Sequence, residues 1–177
     1  MPPGFIYRPN VLSSAEETEL IERISVLPFK AFEFHGYTGK RRVVSYGWKY
    51  DYDAEVARPV DDIPPFLFSL RDTAAGVAGM EPQRLQQALI TEYEPGSAIG
   101  WHKDKAVYGQ VVGISLLSPC NFRLRRTAGD KWERMSLIVE PRSIYVLDGI
   151  ARSEWEHSIP AVGALRYSIT FRNLKER

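Results

Sequence analysis

His102 and Asp104 stand two positions apart at the end of a predicted strand, where alternation sends i and i+2 to one face, so a single cation could touch both. The chain has only three histidines, at 35, 102 and 157. His157 follows the apolar run 143 to 147 and sits beside Glu154-Trp155-Glu156, which reads as exposed. Two imidazoles and one carboxylate leave open positions on iron(II) for oxygen and a chelating co-substrate, and zinc accepts a similar ligand set. A His-x-Asp pair alone is more often surface polarity or a structural hydrogen bond, so it needs support from elsewhere in the chain.

The segment Arg166-Tyr167-Ser168-Ile169-Thr170-Phe171-Arg172 supplies that support. Its two arginines are an even number of residues apart, so a strand puts both on one face with Ser168 and Thr170 between them. Such a stretch covers roughly 20 Å, and two long guanidinium arms reaching inward leave a gap suited to a short diacid. Arginine fits the task because its planar fork pairs a carboxylate through two hydrogen bonds and stays charged when buried. Two solvated arginines on an edge strand are the bland alternative.

Short β-rich runs must carry these residues. They span 85 to 93, 110 to 118, 121 to 126, 135 to 139, 142 to 147 and 165 to 172, with turn signals such as Pro95-Gly96, Gly129-Asp130 and Asp148-Gly149 between them. Two helices are expected ahead of the strands. In the first, Leu20, Ile21, Ile24 and Leu27 recur at helical spacing behind a Ser14/Glu17 capping box, and it ends near Pro28. The second starts after Pro64-Pro65 and carries Phe66, Leu67 and Leu70 toward Gly76 or Gly79. Two N-terminal helices and many short strands predict an α+β protein, with the helices packed on one sheet of a β-sandwich or jelly roll.

With 177 residues, 44% hydrophobic and 25% charged, the chain is expected to form one globular domain over 1–177. A net charge of +1 gives no overall attraction to nucleic acid or membrane, so any basic patch must be local. The lone Cys120 excludes an internal disulfide and fits a reducing compartment, and a small buried residue is its simplest role. The N-terminus lacks the pattern of a secretory signal and no stretch approaches a membrane span. A cytoplasmic monomer is the expectation.

Three segments, TEYEPGSAIGWHKDK (91–105), EWEHSIP (154–160) and RYSITFR (166–172), resemble in order and approximate spacing the AlkB-like branch of the Fe(II)/2-oxoglutarate-dependent dioxygenases. With the strands between them the resemblance covers 85–173. A looser likeness at RRVVSYGWKYDY (41–52) looks like the substrate lid of these enzymes, placed at 39–52. The resemblance implies a double-stranded β-helix core, iron(II) held by His102, Asp104 and His157, and 2-oxoglutarate and O2 as co-substrates. Arg166 is expected to grip the distal carboxylate of 2-oxoglutarate, and Arg172 to support the end chelated to iron. Tyr93 occupies the place of a family tyrosine that hydrogen-bonds the co-substrate, Thr91 stands where an asparagine is common, and Ser168 lies between the two arginines. Tyr145 is a second phenol within reach, and a core aromatic is its other role. Related halogenases lack the carboxylate ligand, so Asp104 points to hydroxylation.

Hydroxylation of a methyl on nitrogen releases formaldehyde, the usual outcome in this branch on alkylated bases of DNA or RNA. Lys40, Arg41, Arg42 and Lys103 are then expected near phosphates, with Tyr46, Trp48 or Tyr50 available to stack on a base. Alternating aromatics suit a core equally well, and adjacent cations suit a solvated turn. Repair members often carry an acidic residue two positions after the iron aspartate, whereas Ala106 stands there in this chain. Two further readings stay open: a protein side-chain hydroxylase or demethylase on the same scaffold, and a non-catalytic jelly roll that binds metal or nucleic acid.

Overall fold

The computed structural model describes residues 1–34 and 37–176, with side chains except at 33–34 and 37–39. His35 lies outside the described residues. Two antiparallel sheets share an interior. The larger runs β1 (Phe5–Arg8), β11 (Ser143–Leu147), β8 (Tyr108–Leu116), β13 (Arg166–Leu174), β6 (Gln87–Tyr93), β3 (Tyr37–Tyr46) and β2 (Lys30–Phe34). The smaller runs β10 (Lys131–Val139), β9 (Cys120–Ala128), β12 (Glu156–Ile159) and β7 (Ile99–His102). A separate hairpin joins β4 (Trp48–Asp51) to β5 (Val56–Pro59).

Alternation along the strands divides the buried residues into two sets. On β13, Tyr167, Ile169 and Phe171 join Ile90, Ile114 and Ile144 in a core that also takes Ile24 from α1 (Ser14–Ile24) and Leu70 and Ala74 from α2 (Phe68–Ala78). The opposite face carries Arg166, Ser168, Thr170 and Arg172. That face shares its interior with the smaller sheet, where Tyr93, Tyr145 and Leu147 meet Phe122, Leu124 and Trp155. The jelly roll with helices stacked on one sheet is therefore the observed architecture. No helix among the described residues is long and apolar enough to cross a membrane.

Details of the elements differ from expectation for local reasons. The first helix is capped by Ser13 and Glu16, one register earlier than Ser14 and Glu17. Both pairs have the right spacing. Glu17, however, is drawn away to the backbone N–H of Leu117 and to Arg142, fastening the helix to the turn after β8. The helix stops at Ile24, while Leu27 still packs on the core. Pro65 opens a 3-10 turn before α2, and Gly79 ends α2 in the left-handed conformation that glycine adopts without penalty. Strands β1, β2, β5 and β12 are short, carry little periodic signal and lie outside the expected runs.

Candidate metal centre and co-substrate pocket

Strands β7 and β12 are neighbours, and in their pairing His157 lies directly opposite His102, with ring centroids 4.2 Å apart. Asp104 does not share a strand with His102, the expectation from alternation, because β7 ends at His102. It comes from the loop that follows, and its Oδ1 lies 3.5 Å from Nε2 of both imidazoles. One ligand atom from each residue falls within 4.8 Å of the others, a cluster that fits one metal ion. Nδ1 of His102 lies 2.9 Å from the Gly100 carbonyl. Donation of that N–H leaves the Nε2 lone pair for a cation. Phe122 stacks on the ring of His157 at 5.4 Å and fixes its plane.

The electrostatics favour, in Asp104 and His157, the charge forms that a metal ion requires. Burial works to raise the Asp104 carboxyl, but the Arg172 guanidinium, a His102 hydrogen bond and the imidazoles outweigh it and hold the carboxyl well below its usual range. Burial, then the neighbouring His102, pushes His157 down to about 3 against the pull of Asp104. An unfolded histidine takes up a proton below about 6.5, whereas the folded ring stays neutral down to about 3. The metal-free protein is therefore expected to lose stability as pH falls through that window. Thermal melts at pH 7 and pH 5 check this: a falling melting temperature that flattens in His157→Phe is the expected result.

Arg166 is fully buried on β13. Its Nε donates to Ser115 Oγ at 3.0 Å and its guanidinium lies 5.0 Å from the Tyr93 ring centroid. Nη1 and Nη2 have no hydrogen-bond partner among the described residues. Thr91 and Ser168 are direct cross-strand partners on the same face and are both buried. Tyr145 is buried beside this cluster, its phenol pushed up by burial while Arg166 pulls the other way. Its ring crosses Gly113, where a Cβ would lie 2.2 Å from the Tyr145 Cζ. Gly113→Ala is thus expected to displace Tyr145, at about 1–3 kcal/mol in stability, and to weaken 2-oxoglutarate binding. Chemical denaturation and co-substrate titration check the two effects.

Arg172 is placed differently from Arg166. Its Nε donates to Asp104 Oδ2 at 2.5 Å and its Nη1 to Gln87 Oε1 at 3.0 Å. With Oδ2 engaged in this way, Oδ1 is the oxygen left facing the imidazoles. The structure therefore brings Arg172 to the carboxylate of the His-Asp-His cluster.

The expected substrate residues separate. Arg41 lies over the Phe32 ring at 4.0 Å and donates to the Ala98 carbonyl at 3.3 Å; burial lowers its pKa while the tyrosines at 93 and 52 raise it. Arg42 and Tyr46 are on the opposite face of β3. There Arg42 pairs with Glu92 at 2.6 Å, and Tyr46 packs on the helix-side core. Trp48 accepts through its carbonyl from Gln87 Nε2 at 3.1 Å. Lys103 is exposed and donates to the Ser153 carbonyl at 2.9 Å. Trp155, read as exposed, is only 2% exposed, because the short helix α3 (Gly149–Ser153) turns the chain inward before β12. Sequence reading missed Gln87 and Ser115. Both lie at positions of β6 and β8 whose side chains share the face of Thr91 and Arg166, so extending the alternation rule along those strands finds them.

Two facing antiparallel sheets with a His-Asp-His cluster and a buried arginine between them define a metal-dependent oxygenase of the jelly-roll class. The family model of the 2OG-Fe(II) oxygenase superfamily matches residues 4–172, and the chain belongs to that superfamily, in its AlkB-like branch. The AlkB dioxygenase of Salmonella typhimurium is 31% identical over 153 residues, covering 74% of this chain and 68% of that protein. The alkylated DNA repair protein ALKBH8 homolog of Arabidopsis thaliana is 24% identical over 182 residues, covering 89% of this chain. The chain spans 51% of the length of that plant relative. The solved structure of OsALKBH1 superposes with a TM-score of 0.74 over 98% of both chains at 17% identity, a likeness of fold.

Proposed function

We propose that this chain is a 2-oxoglutarate-dependent dioxygenase in which His102, Asp104 and His157 hold iron(II) and Arg166 binds the distal carboxylate of 2-oxoglutarate. The observation that carries this reading is the fully buried Arg166, whose Nη1 and Nη2 both lack a partner among the described residues. A buried cation with two unpaired donors is unfavourable, and a carboxylate presented side-on satisfies both nitrogens at once. Ser115 and Tyr93 fix the guanidinium from the other sides. A purely metal-binding or nucleic-acid-binding jelly roll has no use for a buried guanidinium with two donors to offer, which argues against the non-catalytic reading.

Iron(II) with 2-oxoglutarate and O2 supplies oxidative decarboxylation of the keto acid to succinate and carbon dioxide, coupled to hydroxylation of a C–H bond. The chain's own residues set the geometry. Asp104 offers Oδ1 while Arg172 occupies Oδ2, both imidazoles present Nε2, and the buried face of β13 excludes water from the arginine pocket. Thr91 and Ser168 lie on the same sheet face as Arg166, and Tyr145 is buried beside it.

N-alkylated bases of DNA or RNA are the substrates we favour, with demethylation as the outcome. Support comes from cations set against aromatic rings of β2 and the β4–β5 hairpin: Arg41 over Phe32, and Lys105 at 5.3 Å from the Tyr50 ring and 5.1 Å from the Tyr52 ring. The similarity to proteins named for alkylated DNA repair and for AlkB dioxygenase activity points the same way. The reading takes residues 1–177 as one catalytic domain that acts in the cytoplasm as a monomer. Succinate formation with and without methylated oligonucleotides tests it. Turnover stimulated by a methylated strand, with formaldehyde released in equal amount, is the expected result. Stimulation by peptides alone transfers the substrate to a protein side chain, and no turnover with iron bound removes the enzyme reading.

A further inference from the structure

Gln87, at the start of β6, is 3% exposed and spends both ends of its amide. Nε2 donates to the Trp48 carbonyl of β4 at 3.1 Å, and Oε1 accepts from Arg172 Nη1 at 3.0 Å. Arg172 in turn donates through Nε to Asp104 Oδ2 at 2.5 Å. An unbroken line of three hydrogen bonds thus runs from the backbone of the β4–β5 hairpin to the carboxylate of the metal cluster. A second connection joins the same two places. The ring centroids of Tyr50 and Tyr52 on and just after β4 lie 5.3 Å and 5.1 Å from the ammonium of Lys105, the residue next to Asp104 in the chain. Two independent links thus join the hairpin to the carboxylate loop.

We propose that Gln87 is a positioning residue that ties the β4–β5 hairpin to the carboxylate of Asp104, so that hairpin order and metal binding are energetically coupled. The proposal rests on the reading of Asp104 as a metal ligand. Its consequence follows from reciprocity: if displacing the hairpin alters the hold of Arg172 on Asp104, then a metal on Asp104 must order the hairpin to the same extent. A substrate pressing on Tyr50 or Tyr52 would thereby be sensed at the metal before any chemistry occurs.

Hydrogen–deuterium exchange of the whole chain with and without Mn(II) provides the test, with no turnover involved. In the wild-type protein Mn(II) is expected to slow exchange several-fold at 48–59 as well as at 99–102 and 156–159. Gln87→Leu removes both hydrogen bonds and is expected to abolish the slowing at 48–59, to keep it at 99–102 and 156–159, and to weaken Mn(II) about tenfold. Gln87→Glu keeps the acceptor for Arg172 but loses the donor to Trp48. It is expected to restore near wild-type Mn(II) affinity without restoring protection at 48–59, a split that a merely structural glutamine does not produce. Hairpin exchange that ignores Mn(II) in the wild type, or that responds equally in both variants, overturns the proposal. Absence of slowing at 99–102 and 156–159 in the wild type removes the metal assignment beneath it, a distinct failure.

Discussion

Arg166→Ala is expected to raise the dissociation constant for 2-oxoglutarate by roughly 30-fold to several thousand-fold, since truncating one partner of a buried charge pair costs about 2–5 kcal/mol. The effect is large because the guanidinium has no competing acceptor beyond Ser115 among the described residues, so its binding energy is reserved for the incoming carboxylate. Isothermal titration of the Mn(II)-loaded protein with 2-oxoglutarate measures it. Arg166→Lys is expected to recover only part of the loss, because an ammonium cannot present two parallel donors. The empty protein is expected to tolerate the alanine well, since the substitution also removes a buried, incompletely satisfied cation. An unchanged 2-oxoglutarate affinity in Arg166→Ala assigns the diacid to another residue.

Asp104→Ala carries the second large effect, a loss of iron(II) affinity of at least about a hundredfold together with loss of turnover; changes to residues that only support a ligand already cost 10–100-fold. This substitution also strands Arg172, whose Nε loses its 2.5 Å partner in a buried setting. The metal-free variant is therefore expected to be less stable than wild type, and Asp104→Ala with Arg172→Met to recover part of that stability without recovering iron binding. Metal titration and thermal melts separate the two consequences. Wild-type iron affinity in Asp104→Ala would sink the site assignment.

Much of the architecture is legible in the order of the residues, and the reason is periodicity. Alternation in residues 166–172 put Arg166, Ser168, Thr170 and Arg172 on one face, and that face is the one turned to the smaller sheet. The clustering of His102, Asp104 and His157 was also anticipated, although for Asp104 by an argument that the structure replaces. Arg42 and Tyr46 illustrate the opposite case. The same alternation places them away from the pocket, but a strand's period does not say which of its two faces looks inward when both are buried or half-buried.

Local sequence therefore decided which groups could act together along a strand: a two-residue repeat is a property of the extended backbone alone. It also set the apolar stripes that paired helices with a sheet. Contacts between distant segments were settled only by folding. Gln87 reaches both Trp48 and Arg172, and Arg172 takes hold of Asp104 rather than of the pocket that Arg166 occupies. Such contacts depend on the register and stacking of two sheets, which arise from the packing of the whole chain and leave no short-range trace in the order of its residues.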